Sequence, residues 1–278
     1  MKSLWRAAIV LLAFCGPAIA APPQRIMSLT VCTDELLMDL AAPGQIASIS
    51  YLSREKAALK LWPQAAFLPV NHNTAEEVLA LKPDLVLTLP YASTALRGLL
   101  EKSGIPILEI PQAQNFDQIR AATRQVADAI GARPRAEALI AHMDATLSQL
   151  AATAPARKIR VAGWGGGGFV PGRESLFDAM LQAAGAVNIV GGEGSTYYDV
   201  ESLIAAQPDI LAYGDDYIDT PSLRMDQDDH PALLKLFANR RIVYPAALYG
   251  CGVPQSADAA RALRATLTRT MARTMAGP

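Results

Sequence analysis

One phrase occurs twice in this chain of 278 residues, and it constrains the fold more strongly than any other feature. Residues 76–86 and 201–211 both begin with glutamate, run through a mostly apolar stretch to Pro-Asp, and end in aliphatic residues. Equivalent positions of the two copies lie 125 residues apart. Each copy predicts a short helix that is stopped by the proline and followed by a turn into a buried strand. The repeat therefore predicts two similar lobes, with the function of the chain placed where the lobes face each other.

The segments around the two phrases alternate between short apolar strands and helical stretches. This alternation is typical of α/β proteins whose parallel sheets carry helices on both faces. In the first half we predict strands at 25–30, 46–50, 85–89 and 106–110, and helices at 33–40 and 94–102. The second half repeats the order, with strands at 159–163, 187–190, 210–213 and 242–244, helices at 175–183 and 231–238, and a terminal helix at 256–274.

A helical segment separates the two halves. Residues 115–130 have helical character and end at Gly131, and Pro134 stands where a new helix can begin. From 134 to 150 apolar residues recur at helical spacing, which makes a rod of about 25 Å. Such a rod predicts a stiff connection that permits only a small opening of the lobes. The alternative is an ordinary surface helix of a single domain.

The first residues predict export. Two basic residues precede an apolar run at 7–14, and residues 18–20 form a small-x-small cleavage site. These are the features of a secretory signal peptide, which is too short to span a membrane. Cys15 loosely suggests a lipoprotein signal, but the bulky Phe14 before it argues against one. We therefore expect cleavage after Ala20 and a soluble protein in the periplasm.

Together these features predict an α/β fold with two Rossmann-like lobes. The lobes contain parallel sheets, are joined by one long connecting helix, and leave a ligand cleft between them. The predicted organisation is a signal peptide at 1–20, an N-terminal lobe at 21–113, a connecting helical segment at 114–153 and a C-terminal lobe at 154–278.

Charge and histidine content disfavour several classes of partner. Without residues 1–20 the chain keeps 23 basic and 26 acidic residues, a net charge of −3, and it has no basic run. Binding to nucleic acid or to an anionic membrane therefore lacks its usual electrostatic basis. Three histidines are too few to favour a zinc or manganese site, which needs several His and carboxylate ligands in fixed geometry.

Three features of the sequence resemble a known family. They are the opening strand at 25–29 with residues 33–37 after it, the repeated Glu…Pro-Asp phrase, and the single connecting helix. Over about residues 25 to 275 the chain resembles the periplasmic substrate-binding proteins of ABC importers for vitamin B12 and ferric siderophores. Residues 169–175 are similar to the Phe-x-x-Gly-Lys-Glu-Ser stretch of the B12-binding member.

The resemblance implies a monomeric, non-enzymatic protein that delivers a bulky metal chelate to an ABC permease. The chelate is a corrinoid or a ferric siderophore, with haem also open, and the protein needs no cofactor because the ligand itself carries cobalt or iron. The resemblance also gives Glu76 and Glu201 a role, because one exposed carboxylate on each lobe docks to arginines of the permease. Two acids at equivalent places suit a two-fold partner, and Arg–carboxylate pairs supply register and association rate. The alternative is that both acids merely suit the first turn of a helix.

The cleft is expected to be lined by loops at the strand ends, as in open α/β sheets generally. Aromatic residues in such loops suit a large ligand with flat apolar faces and a polar rim, although each one singly can also be a packing residue. We favour Trp164 and the adjacent tyrosines 197 and 198. His72 is either a ligand of a metal centre, a hydrogen-bonding group, or an exposed histidine without a role. The candidates are Cys32, Thr33, Tyr51, Asn71, His72, Asn73 and Tyr91 in the first lobe, and Trp164, Phe169, Arg173, Tyr197, Tyr198, Tyr217, Tyr249 and Cys251 in the second.

Three departures from the family leave the ligand open. Val70, Leu89 and Ser195 stand where bulky rings are expected for B12 binding. No arginine lies near Tyr249 in sequence, and Arg173 is the only cleft-side basic residue that the pattern identifies. The corrinoid and siderophore alternatives therefore stay close.

The two cysteines of the exported chain fall on loops of different lobes. In an oxidising compartment Cys32 and Cys251 could pair across the mouth of the cleft, contact the ligand, or be inert. Because a bridge would restrain opening, we expect them not to be paired.

An exported enzyme is the main alternative function. Residues 163–168 formally match the Gly-x-Gly-x-x-Gly fingerprint, but residues 169–172 intervene before helix signals resume at Glu174. The glycines are better explained by a sharp turn that brings backbone close to a ligand. No Gly-x-Ser-x-Gly elbow is present, and Cys32 with His72 is too generic a pair for a thiol hydrolase. A ligand sensor on the same scaffold remains open.

Overall fold

The first half of the chain forms a five-stranded parallel sheet. The computed structural model describes residues 21–54, 61–90, 94–165, 168–214, 230–245 and 247–275. The strand order is β3-β2-β1-β4-β5, and every pairing is parallel. The strands are β1 (Ile26–Ser28), β2 (Ile46–Ser50), β3 (Val70–Asn71), β4 (Leu85–Thr88) and β5 (Ile107–Glu109), and the helices are α1 (Val31–Leu40), α2 (Ala75–Leu81) and α3 (Thr94–Lys102).

Two helices connect the halves, α4 (Phe116–Ile130) and α5 (Arg133–Ala152). Gly131 ends α4 in the left-handed conformation, at φ 75°, and its N–H bonds to the carbonyl of Ala127, as the sequence predicts. The twenty residues of α5 make a rod of about 30 Å, which is slightly longer than expected. Salt bridges such as Arg124–Glu137 join α4 to α5 and make the connection a helical pair.

The second half forms a four-stranded parallel sheet and a separate antiparallel pair. The order of the sheet is β11-β10-β6-β8, and β7 pairs with β9. The antiparallel pair is the one part of the strand pattern that the sequence did not predict in this half. The strands are β6 (Ile159–Trp164), β7 (Phe169–Pro171), β8 (Ala186–Asn188), β9 (Ser195–Tyr197), β10 (Ile210–Gly214) and β11 (Arg241–Tyr244), and the helices are α6 (Leu176–Ala183), α7 (Val200–Ala206), α8 (Pro231–Leu236), α9 (Ala247–Gly250) and α10 (Ser256–Met275).

The two sheets repeat one topology, which confirms the two similar lobes. The order β2-β1-β4-β5 in the first matches β8-β6-β10-β11 in the second. The α/β class with parallel sheets in two lobes is therefore confirmed. The lobes nevertheless share one buried apolar cluster, which includes Ile26 of β1, Met143 of α5 and Val161 of β6. A shared core favours a connection that bends little.

The Pro-Asp of each repeated phrase takes part in the same set of hydrogen bonds, one set in each lobe, which we call the clamp. The Asp84 carboxylate accepts the backbone N–H of Arg25, and the Asp209 carboxylate accepts that of Arg160, both at 2.9 Å. In return the Arg25 guanidinium donates to the carbonyl of Leu81, and Arg160 donates to Ala206 in the same way. In each lobe the Arg–Asp pair thus ties the start of a strand, β1 or β6, to the end of a helix, α2 or α7.

The expectation that the two cysteines are unpaired is wrong. Cys32, in the first turn of α1, forms a disulfide with Cys251, just after α9, across 219 residues of chain. The bridge does not cross an open mouth, because the lobes already touch there. A Cβ on Gly252 would lie 2.7 Å from Cβ of Ala113, so only glycine permits this approach. Gln255 also donates to the Asp39 carboxylate from the other lobe at 2.7 Å.

Candidate functional site: a cavity beside the seam between the lobes

The seam is the contact between the lobes at the disulfide and at Gly252 and Ala113. A cavity of about 430 Å³ opens next to it. Most of its wall comes from the second lobe, and two glutamines that follow β5 complete it from the first. It lies at carboxyl ends of strands, where open α/β sheets place their ligands. The lining residues are Gln112, Gln114, Trp164, Gly165, Pro171, Glu174, Ser175, Leu176, Phe177, Gly194, Ser195, Tyr244, Tyr249 and Gly250.

Four aromatic side chains give the cavity its apolar surface. The rings of Phe177, Tyr244 and Tyr249 form a tilted trio with centroid separations of 4.4 to 5.8 Å. Trp164, at the end of β6, is only 2% exposed. Burial raises the pKa of the Tyr249 phenol above its usual value, so this group is a neutral donor or acceptor at physiological pH. Such a wall suits a large ligand with a flat apolar face.

Two glycine segments pack backbone against backbone to form one edge of the cavity. The N–H of Gly172 donates to the carbonyl of Gly194, and a Cβ on Gly172 would lie 2.6 Å from the carbonyl oxygen of Gly192. Ser175 then caps α6 by accepting the N–H of Asp178. The glycine run at 163–168 does not open a helix, because α6 begins only at Leu176, so this run lacks the helix N-terminus that a dinucleotide fingerprint requires.

The described lining of the cavity contains few polar side chains and one acidic residue, Glu174. Glu174 is exposed, lines the cavity, and sits in the left-handed region at φ 59°. The indole Nε1 of Trp164 is buried and has no hydrogen-bond partner among the described residues. Gln112 donates its side-chain amide to the carbonyl of Gly250 and so links the lobes at the rim. Among the described residues that line the cavity, none is basic.

The predicted contacts of the second lobe are only partly brought together. Trp164 and Tyr249 line the cavity, whereas Arg173, Tyr197 and Tyr198 do not. Tyr197 is 69% exposed on β9, and Tyr198 packs against the apolar cluster that contains Trp164. Arg173 is exposed and pairs through its backbone with Glu193.

In the first lobe, two of the predicted contacts are packed into the sheet. Asn71 is fully buried, and its amide donates to Ser28, Ser48 and Ile49, each at 2.9 Å. Thr33 is buried as well, and its hydroxyl bonds to Ser28. Buried polar groups need hydrogen-bond partners, and these two side chains find them inside the first lobe. Both side chains thereby join neighbouring strands and loops.

Three other predicted contacts of the first lobe, Tyr51, His72 and Asn73, lie together on its surface. The His72 ring stacks on Tyr51 with centroids 4.9 Å apart, and its Nδ1 lies 3.0 Å from Glu77. The hydrogen bonds from His72 lower the pKa of Glu77 to about 2. Asn73 follows in the left-handed conformation, at φ 62°. These residues lie at the carboxyl ends of β2 and β3, outside the lining of the cavity.

Three predicted contacts fall outside the described residues: Tyr91, Tyr217 and the side chain of Phe169. The disulfide leaves Cys32 and Cys251 without free thiols. Sequence reasoning missed Gln112, Gln114 and Tyr244, although each follows or ends a strand at its carboxyl end, the position that should have been searched.

The two predicted docking acids occupy equivalent positions. Glu76 and Glu201 are each the second residue of a helix, α2 and α7, and both are exposed. Other residues cap these helices. Thr74 and Glu77 form a capping box on α2, and Asp199 caps α7 by itself. Neither Glu76 nor Glu201 has a side-chain ion pair or hydrogen bond with any residue that the structure describes, so helix capping does not explain them. Both lie in the first turn of their helix, where an acid also suits the helix dipole.

The described part of the chain contains neither a membrane-spanning helix nor a cluster of metal-binding side chains. None of its helices has both the length and the apolar character needed to cross a membrane. No group of three or more His, Cys, Asp or Glu side chains in it could hold a metal ion.

Together these features describe a class: a two-lobed α/β protein with a cavity beside the seam between its lobes. The model of the periplasmic binding protein family matches residues 26–227. The chain belongs to this family.

Similar proteins are related only distantly. An uncharacterized ABC transporter substrate-binding lipoprotein, YvrC of Bacillus subtilis, is 25% identical over 136 residues, which are 48% of this chain and 42% of that protein. The match thus spans less than half of the relative's length. The periplasmic haem-binding protein HutB of Vibrio cholerae has the same fold with a TM-score of 0.73 and 21% identity, over 88% of this chain and 98% of that one. The vitamin B12-binding protein BtuF of Vibrio cholerae gives 0.65 and 20%, over 90% and 98%.

Proposed function

We propose that this protein is the extracytoplasmic solute-binding component of an ABC importer and delivers a bulky metal chelate, a corrinoid or a ferric siderophore. The observation that carries the proposal is the aromatic cavity beside the seam of two lobes with one topology, together with an exposed glutamate at the same place on each lobe that has no side-chain partner among the described residues. Family membership supports it, as does the similarity of fold to a haem-binding and a vitamin B12-binding protein. No bond is made or broken, and the protein acts by binding and release.

The size and character of the cavity support a flat ligand. Planar macrocycles stack on aromatic side chains, and the trio of Phe177, Tyr244 and Tyr249 offers such a surface. Tyr51 and His72, which follow β2 and β3, form a second polar and aromatic patch outside the lining of the cavity.

Delivery of the ligand requires a membrane permease, and Glu76 and Glu201 are the residues through which the protein would dock to it. An acid on each lobe matches a two-fold permease, and arginines on that permease would bind both carboxylates. The exported chain is expected to act as a monomer in the periplasm, and the disulfide fits an oxidising compartment.

The binding half of the proposal is tested by isothermal titration of residues 21–278 with cyanocobalamin and with a ferric siderophore. We expect saturable one-to-one heat with one of the two. A folded sample that gives no heat with either, nor with haemin, contradicts the chelate assignment.

The delivery half is tested by reversing both acids, Glu76→Lys with Glu201→Lys. We expect uptake in cells and stimulation of the permease ATPase to be lost while the affinity for the ligand is unchanged. Glu101→Lys, at an exposed acid in α3, is the matched control and should leave uptake intact. Uptake that survives the double reversal refutes docking through these residues and favours a sensor on the same scaffold.

A further inference from the structure

The repeat between the lobes extends beyond the Glu…Pro-Asp phrase and includes an exposed ring in each lobe. His72 and Tyr197 are also 125 residues apart, and each stands four residues before a docking acid, Glu76 or Glu201. We propose that each lobe docks to the permease through a ring and an acid together, which bind one guanidinium of the permease by stacking and by ion pairing. This inference rests on the proposed function and adds two residues to its docking surface.

The first step is the common backbone of the two helix starts. Thr74 and Asp199 cap α2 and α7 in the same extended conformation, and the residue that ends each helix is left-handed. The two docking acids are therefore carried by the same frame. The approach to the caps differs, since Asn73 has a positive φ and Tyr198 does not. The equivalence thus concerns which groups stand together at each helix start, and the two rings are not related by an exact two-fold.

The second step is the exposure of the two rings. The His72 side chain is 60% exposed, and Tyr197 is 69% exposed. The His72 ring is held in place, because it stacks on Tyr51 and its Nδ1 lies 3.0 Å from Glu77. Tyr197 lies on β9, whose antiparallel pairing with β7 fixes its backbone. Both rings lie outside the lining of the cavity, so the ligand does not explain their exposure.

The third step is the charge at each helix start. Each start carries two acids, one that caps the helix and one docking acid. Hydrogen bonds from His72 lower the pKa of Glu77, and hydrogen bonds from Ser202 lower the pKa of Asp199, so both capping carboxylates are ionised at neutral pH. The capping acids are thus occupied by the chain itself, and the docking acids beside them stay available to a cationic partner.

A guanidinium fits this combination of groups. It is planar, so it binds a carboxylate through its N–H groups and stacks on an aromatic ring through its face, whereas an ammonium group has no flat face. A cation on an exposed ring gains about two- to fivefold in affinity, and more when water is excluded. Loss of both rings is therefore expected to weaken docking about tenfold.

The test measures docking to membranes and needs no ligand. Labelled residues 21–278 are titrated onto right-side-out membrane vesicles of the cells from which the protein comes, and the binding lost in Glu76→Lys with Glu201→Lys defines specific docking. We expect His72→Ala with Tyr197→Ala to weaken specific docking about tenfold, and His72→Phe with Tyr197→Phe to retain most of it. Phe67→Ala is the matched control and should dock normally, because this ring is 88% exposed but no acid follows it at the same spacing.

A double-mutant cycle tests whether a ring and its acid contact the same group. Tyr197→Ala and Glu201→Gln in one chain should weaken docking by less than the product of their single effects, because both act on one guanidinium. Tyr197→Ala with Glu76→Gln, which lie in different lobes, should give the full product. Equal behaviour of the two pairs overturns the shared guanidinium.

The outcomes separate this inference from the proposed function. If the alanine pair docks like the unaltered protein while the charge reversals abolish docking, the role of the rings is overturned and docking through the acids stands. If the alanine pair is folded by circular dichroism, docks normally and instead loses affinity for cyanocobalamin, a ferric siderophore or haemin, the rings are ligand contacts and this inference is wrong. If the charge reversals leave vesicle binding unchanged, docking through the acids fails and this inference fails with it.

Discussion

Removing the disulfide between the lobes should lower the free energy of unfolding by about 2 to 5 kcal/mol. In the chain-entropy model a cross-link removes about 2.1 + 1.5R ln n cal/mol/K from the unfolded chain. For the 219 residues between Cys32 and Cys251 this gives about 18 cal/mol/K, or about 5 kcal/mol at 25 °C. Measured effects usually fall below this value, because unfolded chains keep residual structure.

The measurement is urea denaturation of Cys32→Ser with Cys251→Ser against the unaltered protein, followed by circular dichroism. The m-value should rise in the double variant, because its unfolded chain exposes more surface without the cross-link. Adding dithiothreitol to the unaltered protein should reproduce the loss, and adding it to the double variant should change nothing.

The disulfide should matter little for the native arrangement of the lobes. Gly252 packs against Ala113, and Gln255 binds Asp39, so the seam is closed by contacts as well as by the bridge. We therefore expect ligand affinity to change less than threefold in the double variant under conditions where it is folded. A loss of stability below about 1 kcal/mol, with no free thiols in the unaltered protein, would refute the entropic reasoning.

Two further predictions concern buried groups. Trp164→Ala should cost about 3 to 5 kcal/mol of stability because the ring is 2% exposed, whereas Tyr197→Ala, at a residue 69% exposed, should stay within about 0.5 kcal/mol; urea denaturation compares them, and equal costs would contradict the packing described. Burial raises the pKa of Glu35 to about 9, and both its carboxylate oxygens lack a hydrogen-bond partner among the described residues. The native state thus keeps a proton that the unfolded state loses above about pH 4.5, so the free energy of unfolding should fall as pH rises from 5 towards 9. In Glu35→Gln this decline should be weaker, and an unchanged slope would show that Glu35 is ionised in the folded protein.

Most of the fold could be predicted from the sequence because local signals agreed with the global arrangement. Strand β2 and helix α3 have the predicted bounds, and glycines at positive φ turn the chain before β2, at Gly44, and after α3, at Gly104. Strand β3 was missed because it has only two residues, Val70 and Asn71, which is too short for any periodicity. The β7–β9 pair was missed for another reason, because it depends on the contact between two glycine segments that are distant in sequence.

The candidate site was less predictable than the fold. The strand-end rule selected Trp164, which ends β6, and Tyr249, which lies in α9 after β11, and both line the cavity. The same rule selected Asn71 and Thr33, whose polar groups form hydrogen bonds inside the first lobe. A sequence shows where a side chain enters a loop, and it does not show which partner satisfies its hydrogen bonds. The disulfide was misjudged similarly, because the prediction assumed a gap between loops that are in contact.

The two lobes are most alike where each Pro-Asp clamp ties a strand to a helix, and most different around the cavity. The Arg25–Asp84 and Arg160–Asp209 clamps repeat the same bonds at the amino ends of strands, where open α/β sheets do not bind ligands. At the carboxyl ends of the strands, the buried Asn71 joins neighbouring strands of the first lobe by hydrogen bonds. In the second lobe the same region contains the glycine segments and the aromatic residues that line the cavity. Because most of the lining belongs to the second lobe, substitutions there should alter affinity more than equivalent ones in the first. We expect the first lobe to contribute mainly through Gln112 and Gln114, and we expect the shared core and the helical pair to limit its movement.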